Sequence, residues 1–370
     1  MKIHSLRCYA VELPIVGHGY TMSHGRHLTT LQSTVVRVDG EDGTTGYGEA
    51  CTLGGNYIDA FPTGLHAAVR ELAEVVVGHK VFAPDALNHA MDRALYGNLS
   101  AKAAIDAATW DLRGKILGQP VSALLGGRHR DTYPVFFPLS LASPQEMARE
   151  AKEQQQKDGY HCWQLKIGED PYDDAERVRA VLEAVGAEAT YVTSDANAGW
   201  TTAQALQFVK AIAGLHTFVE QPCPTIAQAA DVRRHTALPM VIDEAVRDMG
   251  NLVECYEQRA ADCVNIKPAR VGGPTRAARL RDVAQALGYK VMVDDPMGGE
   301  ISTSMVGHLA VTCRPEHLAA ASFLQVFTTK RMASGGATLS DGWGHAPTEP
   351  GWGIEVDEDA LGEPIFTLGG

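Results

Sequence analysis

From about Tyr133 onward the chain alternates short apolar runs with helix-length amphipathic stretches, eight times over. The apolar runs are PVFFPLSL, WQLKIG, TYVTSDAN, TFVEQP, PMVIDEA, DCVNIKPA, KVMVDDP and HLAAAS. Between them lie stretches such as SPQEMAREAKEQQQKDG, DDAERVRAVLEAVG and PTRAARLRDVAQALG, in which apolar residues recur at helical spacing. Eight strand–helix units in about 190 residues predict a (β/α)8 barrel of the TIM type. A doubly wound sheet is the competing arrangement. It is disfavoured because no Gly-x-Gly-x-x-Gly follows any of these strands.

The residues before the alternation read differently. IHSLRCYAVEL and LQSTVVRVDGEDGTTGYGEA are strand-like, and Gly40–Gly43 suits a hairpin turn. Three helical stretches follow: PTGLHAAVRELAEVV, PDALNHAMDRALY and SAKAAIDAATWDLRGKILG. The expected organisation is an α+β capping domain over 1–130, a barrel over 131–325, and a Gly- and Pro-rich segment over 326–370 that packs back on the cap. Gly17 to Arg26, rich in glycine and polar groups, reads as a mobile loop.

Composition narrows the function classes. The formal net charge is −13 and no basic stripe interrupts it, which argues against nucleic-acid binding. An acidic surface repels anions, so a small acid held here needs local positive charge, from a metal or a lysine. The seven cysteines are scattered, odd in number and without a Cys-x-x-Cys pair, as expected of reduced thiols in a reducing compartment. The opening MKIHSLRCYAVELP reads as a strand, and no apolar run approaches the roughly 20 residues of a membrane span. A cytoplasmic protein, with no membrane or nucleic-acid partner and assembled as a homo-oligomer, is the expectation.

Charged residues stand at the ends of successive strands: Lys166, Asp195, Glu220, Asp243, Lys267 and the pair Asp294–Asp295. Strand C-termini of a barrel converge on one mouth, so residues about 25 apart in sequence become neighbours. One charge after an apolar run is ordinarily a solvated loop residue; six consecutive strands obeying the same rule are not. Three adjacent carboxylates raise one another's pKa unless a cation sits among them. Oxygen ligands alone point to Mg²⁺, with Mn²⁺ as the alternative, rather than zinc. Lys166 and Lys267 then flank the carboxylates and can address two faces of one carbon, provided their pKa values fall toward neutrality. Such a set removes the proton beside a carboxylate and stabilises the resulting enediolate.

The ordered motifs AAIDAATWDLRGKILGQPVSALLGG (103–127), LKIG, SDANAGW, VEQP, VIDEA and NIKPARVGG resemble the enolase superfamily, in its muconate-lactonizing-enzyme-like subgroup. Members of that superfamily set a Lys or His base beside Mg²⁺. The resemblance implies Asp195, Glu220 and Asp243 as metal ligands, Lys166 and Lys267 as the acid/base pair, and Asn197 and Glu244 as supports. Two departures stand out: Gln164 replaces the first lysine of the usual Lys-x-Lys, and no histidine follows strand seven as in mandelate racemases. GYTMSHGR (19–26), LGGNYI (53–58) and APTEPGWGIEVDEDALGEPI (346–365) are similar to cis-3-hydroxy-L-proline dehydratases. DDPMGGE is similar to hydroxyproline-betaine epimerases, with Met297 where those place the Trp that suits a quaternary ammonium. The resemblance therefore implies a small carboxylate substrate, a proline derivative. Asp294 or Asp295 would pair its ring amine, and Tyr20 and Tyr57 would lie over it. The expected reaction is dehydration of cis-3-hydroxy-L-proline to a cyclic imine. The alternatives are a racemase or 2-epimerase of proline, hydroxyproline or their betaines, and, more distantly, a non-catalytic binding barrel.

Overall fold

A computed structural model describes residues 1–23 and 25–370. Eight parallel strands run in sequential order: Phe136–Leu139, Cys162–Lys166, Tyr191–Asp195, Phe218–Glu220, Met240–Ile242, Cys263–Ile266, Lys290–Val293 and Leu318–Ala321. A parallel bridge between Val135 and Ala321 joins the last to the first and closes the barrel. Helices cross outside it, two of them started by a proline after a capping side chain. Ser143 and Glu146 form a reciprocal capping box at Pro144–Asp158, and Asp170 accepts from two backbone N–H groups at Pro171–Val185.

The eighth unit departs from the expected repeat. After Leu318–Ala321 comes only the short 3₁₀ turn Leu324–Phe327, because the following TTKRMASGG offers no amphipathic run.

Side chains inside the barrel follow the period of two that strands impose. Phe136, Cys162, Tyr191, Val241, Cys263, Met292 and Ala320 form an apolar floor. Two residues further along these strands stand Gln164, Thr193, Asp243, Asn265, Asp294 and Ser322, and one step above them Lys166, Asp195 and Lys267. The barrel therefore grades from apolar at its base to charged at its mouth.

The cap is a four-stranded antiparallel sheet of Ile3–Pro14, Thr30–Gly40, Thr45–Cys51 and the C-terminal Phe366–Gly369. Helix Leu99–Leu117 lies between that sheet and the barrel, and is buried on every side from Ser100 to Gly114. It approaches the sheet so closely that a Cβ on Gly48 would stand 2.1 Å from the carbonyl oxygen of Ala104. Its buried acids are paired across the interfaces. Asp106 accepts from Thr275 of the barrel, and Asp111 from the backbone of Tyr47 and Trp352. The C-terminal segment straddles both units: Trp343–His345 pairs with Thr132–Pro134 beside the barrel, and Phe366–Gly369 pairs with the first strand of the cap.

The segment expected to be a mobile loop is instead a small hairpin. Tyr20–Met22 pairs antiparallel with Arg26–Leu28, and Tyr20 and Met22 are buried; His24 lies outside the described residues. No helix among the described residues is long and apolar enough to cross a membrane.

Candidate active site

Parallel register sets the first three charged residues side by side. Lys166 is the Cα partner of Asp195, which is in turn the partner of Glu220. All of the strand-end residues singled out from sequence meet at this mouth. Asp195, Glu220 and Asp243 have no solvent exposure, and Lys166 and Lys267 are buried beside them.

Glu220 is held by neutral groups. Its carboxylate accepts from Gln164 Nε2 at 3.0 Å, Asn265 Nδ2 at 3.0 Å and Thr193 Oγ1 at 3.2 Å, all neutral donors from inside the barrel. Gln164, in place of a lysine, thus contributes a hydrogen bond without a charge. Burial first, then Asp195 and Asp243, push the Glu220 carboxyl well above the usual carboxylate range.

Asp195 accepts from Lys166 Nζ at 2.5 Å and from the backbone and side-chain nitrogens of Asn197 at 2.8 and 3.0 Å. Asn197 takes a left-handed backbone, φ 45°, and its amide also donates to Glu244 at 2.9 Å. Glu244 is pushed up to about 7 by burial and by Asp243 and Asp195.

Asp243 faces the opposite way electrically. Burial would raise its carboxyl, yet Arg270 at 2.6 Å and Lys267 at 3.1 Å more than offset this and hold it at about 2. Arg270 also donates to the carbonyls of Asn265 and Val246, which locks the guanidinium in place. Gln221 fixes the backbone, accepting from the N–H groups of Asp243 and Ala245.

Lys267 donates to Tyr57 Oη at 2.6 Å and pairs with Asp294 at 2.9 Å; the Tyr57 hydroxyl donates in turn to Asp243 at 3.1 Å. Tyr57 is therefore tied to both an expected base and an expected ligand. Tyr20, Tyr57, Gln164, Lys166, Lys267, Asp294 and Asp295 line one tight cavity of about 20 Å³. Tyr20, Pro138 and Phe327 also border a groove of about 1060 Å³ outside it, so they form the partition between chamber and surface.

Asp295 accepts the Ala269 N–H at 2.8 Å, while its other oxygen has no partner among the described residues. Burial first, with Asp294 adding to it, pushes the Asp295 carboxyl well above its usual range.

Two features bear on the expected roles. Both lysines are held above the ordinary lysine range, not drawn toward neutrality: burial opposes their charge, but Asp195 beside Lys166, and Asp243 and Asp294 beside Lys267, outweigh it. The carboxylates, moreover, are not gathered as a ready coordination set among the described residues: Lys166, Lys267 and Arg270 occupy oxygens of Asp195 and Asp243, and Gln164, Asn265 and Thr193 those of Glu220.

The donor set still fits a hard divalent cation. Asp195, Glu220, Asp243, Glu244, Asp294 and Asp295 face only the cations of Lys166, Lys267 and Arg270. Within this cluster Asn197 Oδ1 and Glu244 Oε2 are buried acceptors without a donor among the described residues. Excess negative charge and orphaned oxygens are what a bound cation satisfies.

Sequence reasoning passed over Arg270, Gln221, Asn265 and Thr193. Arg270 lies inside the NIKPARVGG motif, one turn beyond Lys267, and an arginine so near a strand-end lysine was the available signal.

Known proteins resemble the chain over most of its length. Residues 21–126 match the N-terminal domain of mandelate racemase / muconate lactonizing enzyme, and residues 146–360 match the enolase C-terminal domain-like family. The chain is 36% identical to a cis-3-hydroxy-L-proline dehydratase of Roseibium aggregatum over 99% of both chains. It is 30% identical to an N-succinyl-L-Arg/Lys racemase of Bacillus cereus over 98% of both. A solved structure of an enolase-superfamily member from Roseovarius nubinhibens, complexed with magnesium, superposes with a TM-score of 0.94 at 31% identity, covering all of both chains.

Proposed function

Since the chain belongs to the enolase superfamily, among the mandelate racemase and muconate lactonizing enzymes, we propose that it dehydrates cis-3-hydroxy-L-proline to a cyclic imine, with Mg²⁺ as its metal. The observation that carries this reading is the placement of Lys166 and Lys267 on either side of the Asp195–Glu220–Asp243 row, both lining one closed chamber. Asp195, Glu220 and Asp243 would hold the metal. A divalent cation bound there supplies the positive charge that meets a substrate carboxylate and takes up the negative charge now holding both lysines above their ordinary range.

The chain's own residues do the rest. One lysine takes the Cα proton of the substrate. The bond from C3 to its hydroxyl then breaks, and the opposite lysine gives the departing oxygen a proton, so that water leaves. The product is an enamine that tautomerises to the cyclic imine. Asp294 and Asp295 stand at the end of strand seven, where a ring ammonium would find a carboxylate partner. Tyr20 and Tyr57 keep bulk water from the reacting carbon. The 36% identity to a cis-3-hydroxy-L-proline dehydratase over nearly the whole chain favours dehydration over the racemase reading.

The second reading uses the same two lysines to invert Cα of proline or a betaine, and the 30% identity to a racemase keeps it in view. Product analysis separates them. Wild-type protein with Mg²⁺ and cis-3-hydroxy-L-proline should yield an imine that reacts with o-aminobenzaldehyde, and Lys166→Ala and Lys267→Ala should each abolish it. One of those variants should still wash deuterium from D₂O into a proline that cannot eliminate, because exchange on one face needs a single base. Inversion at Cα as the only change would overturn the dehydratase reading.

A further inference from the structure

Of the polar side chains lining the chamber, two carry buried atoms with no hydrogen-bond partner among the described residues: Asp295 Oδ2 and Ser322 Oγ. Ser322 directly follows the eighth strand, whose last three residues are all alanine. It is two residues beyond Ala320, which lies in the barrel's apolar floor, and the strand period therefore turns it inward. Its N–H donates to the Val293 carbonyl at 3.0 Å, which pins it beside the end of strand seven and so beside the Asp294–Asp295 pair. Its side chain is 3% exposed.

A buried hydroxyl without a partner is a net loss to the fold, since alanine would fill the same place without stranding a donor and an acceptor. The loss is recovered when a ligand brings the missing partner. The two orphaned groups differ in what they can take. A carboxylate oxygen matches a cationic amine, where charge strengthens the hydrogen bond. A neutral hydroxyl, able both to donate and to accept, matches another neutral hydroxyl.

We propose that Ser322 determines specificity by hydrogen-bonding the hydroxyl of the substrate, while Asp295 is left to the amine. The assignment rests on the proline reading above and adds to it the residue that distinguishes a hydroxylated ring from a plain one.

The test pairs two substrates that differ by that hydroxyl. Wild type and Ser322→Ala are compared for imine formation from cis-3-hydroxy-L-proline and for Cα deuterium exchange with L-proline, in Mg²⁺, alongside unfolding midpoints. The variant should lose about tenfold in kcat/KM on the hydroxylated substrate, the worth of one neutral hydrogen bond. It should exchange L-proline within about twofold of wild type and unfold no earlier, because nothing in the fold depended on the hydroxyl. Equal losses on both substrates, no loss on either, or a lowered unfolding midpoint would overturn the role of Ser322 while leaving the dehydratase reading intact. Wild type acting on neither substrate would remove the proline reading and this assignment together, before any variant is made.

Discussion

Replacing Arg270 by methionine keeps most of the side-chain volume and removes the charge that faces Asp243. The Asp243 carboxyl stands at about 2 against an ordinary 3.8, although burial pushes it the other way. That depression corresponds to a net stabilisation of the ionised form on the order of 2 kcal/mol at neutral pH. Arg270 is the largest contributor to it, ahead of Lys267, and also satisfies two backbone carbonyls. Breaking a buried ion pair from one side typically costs about 3–5 kcal/mol, so Arg270→Met should destabilise the protein by about 3 kcal/mol. Because the folded-state value is depressed, this stability is complete above the unfolded value of 3.8 and is lost as pH falls through about 2. The gap between wild type and variant should therefore be widest near neutrality and close in acid. Urea unfolding followed by circular dichroism, with EDTA present so that no metal shares Asp243, measures it directly. A gap under about 1 kcal/mol at neutral pH, or one that does not narrow between about pH 4 and pH 2, would refute the reasoning.

Three further outcomes are expected. Chelation should abolish turnover, and Asp195→Asn, Glu220→Gln and Asp243→Asn should each lower kcat by orders of magnitude; full turnover in protein shown to be metal-free would remove the metal from the mechanism. Joint replacement of Asp294 and Asp295 by Asn should weaken binding of amine-bearing ligands most, and an unchanged Kd for a proline-type ligand would reopen the choice among amino acids and sugar acids. Tyr57→Phe removes one hydrogen bond to Lys267 and one to Asp243. It should lower kcat/KM about five- to thirtyfold without unfolding the chain, and steady-state kinetics beside a melting curve separates that from a folding defect.

What could be read ahead of the structure was whatever repeats locally. Each of the first seven strand–helix units carries its own apolar run and amphipathic stretch, so the barrel and the positions of Lys166, Asp195 and Lys267 followed from pattern alone. The partners of those residues did not. The hold of Arg270 on Asp243 depends on a one-turn helix, Pro268–Val271, too short to leave a periodic trace. The upward shift of both lysines comes from carboxylates on neighbouring strands, a matter of distance and burial that spacing does not encode. The Tyr20–Leu28 hairpin was obscured by its glycines and polar residues, which mask two strands of three residues each. Ser322 was hidden in a run of alanines that looked like plain core.

Glu49 shows a different kind of dependence. It belongs to the cap, yet it accepts hydrogen bonds from Ser33 at 2.6 Å and from the backbone of Gly299 and Ser302 at 2.9 Å, at the first turn of the helix that follows the Asp294–Asp295 loop. That loop is consequently held at one end by strand seven and at the other by a residue of a separate unit. Heat that loosens the cap releases the loop first, while the barrel still keeps its helices and strands. The temperature at which activity is irreversibly lost should then lie below the temperature at which ellipticity falls, and it should move with substitutions in the cap sheet rather than with substitutions on the outer barrel helices.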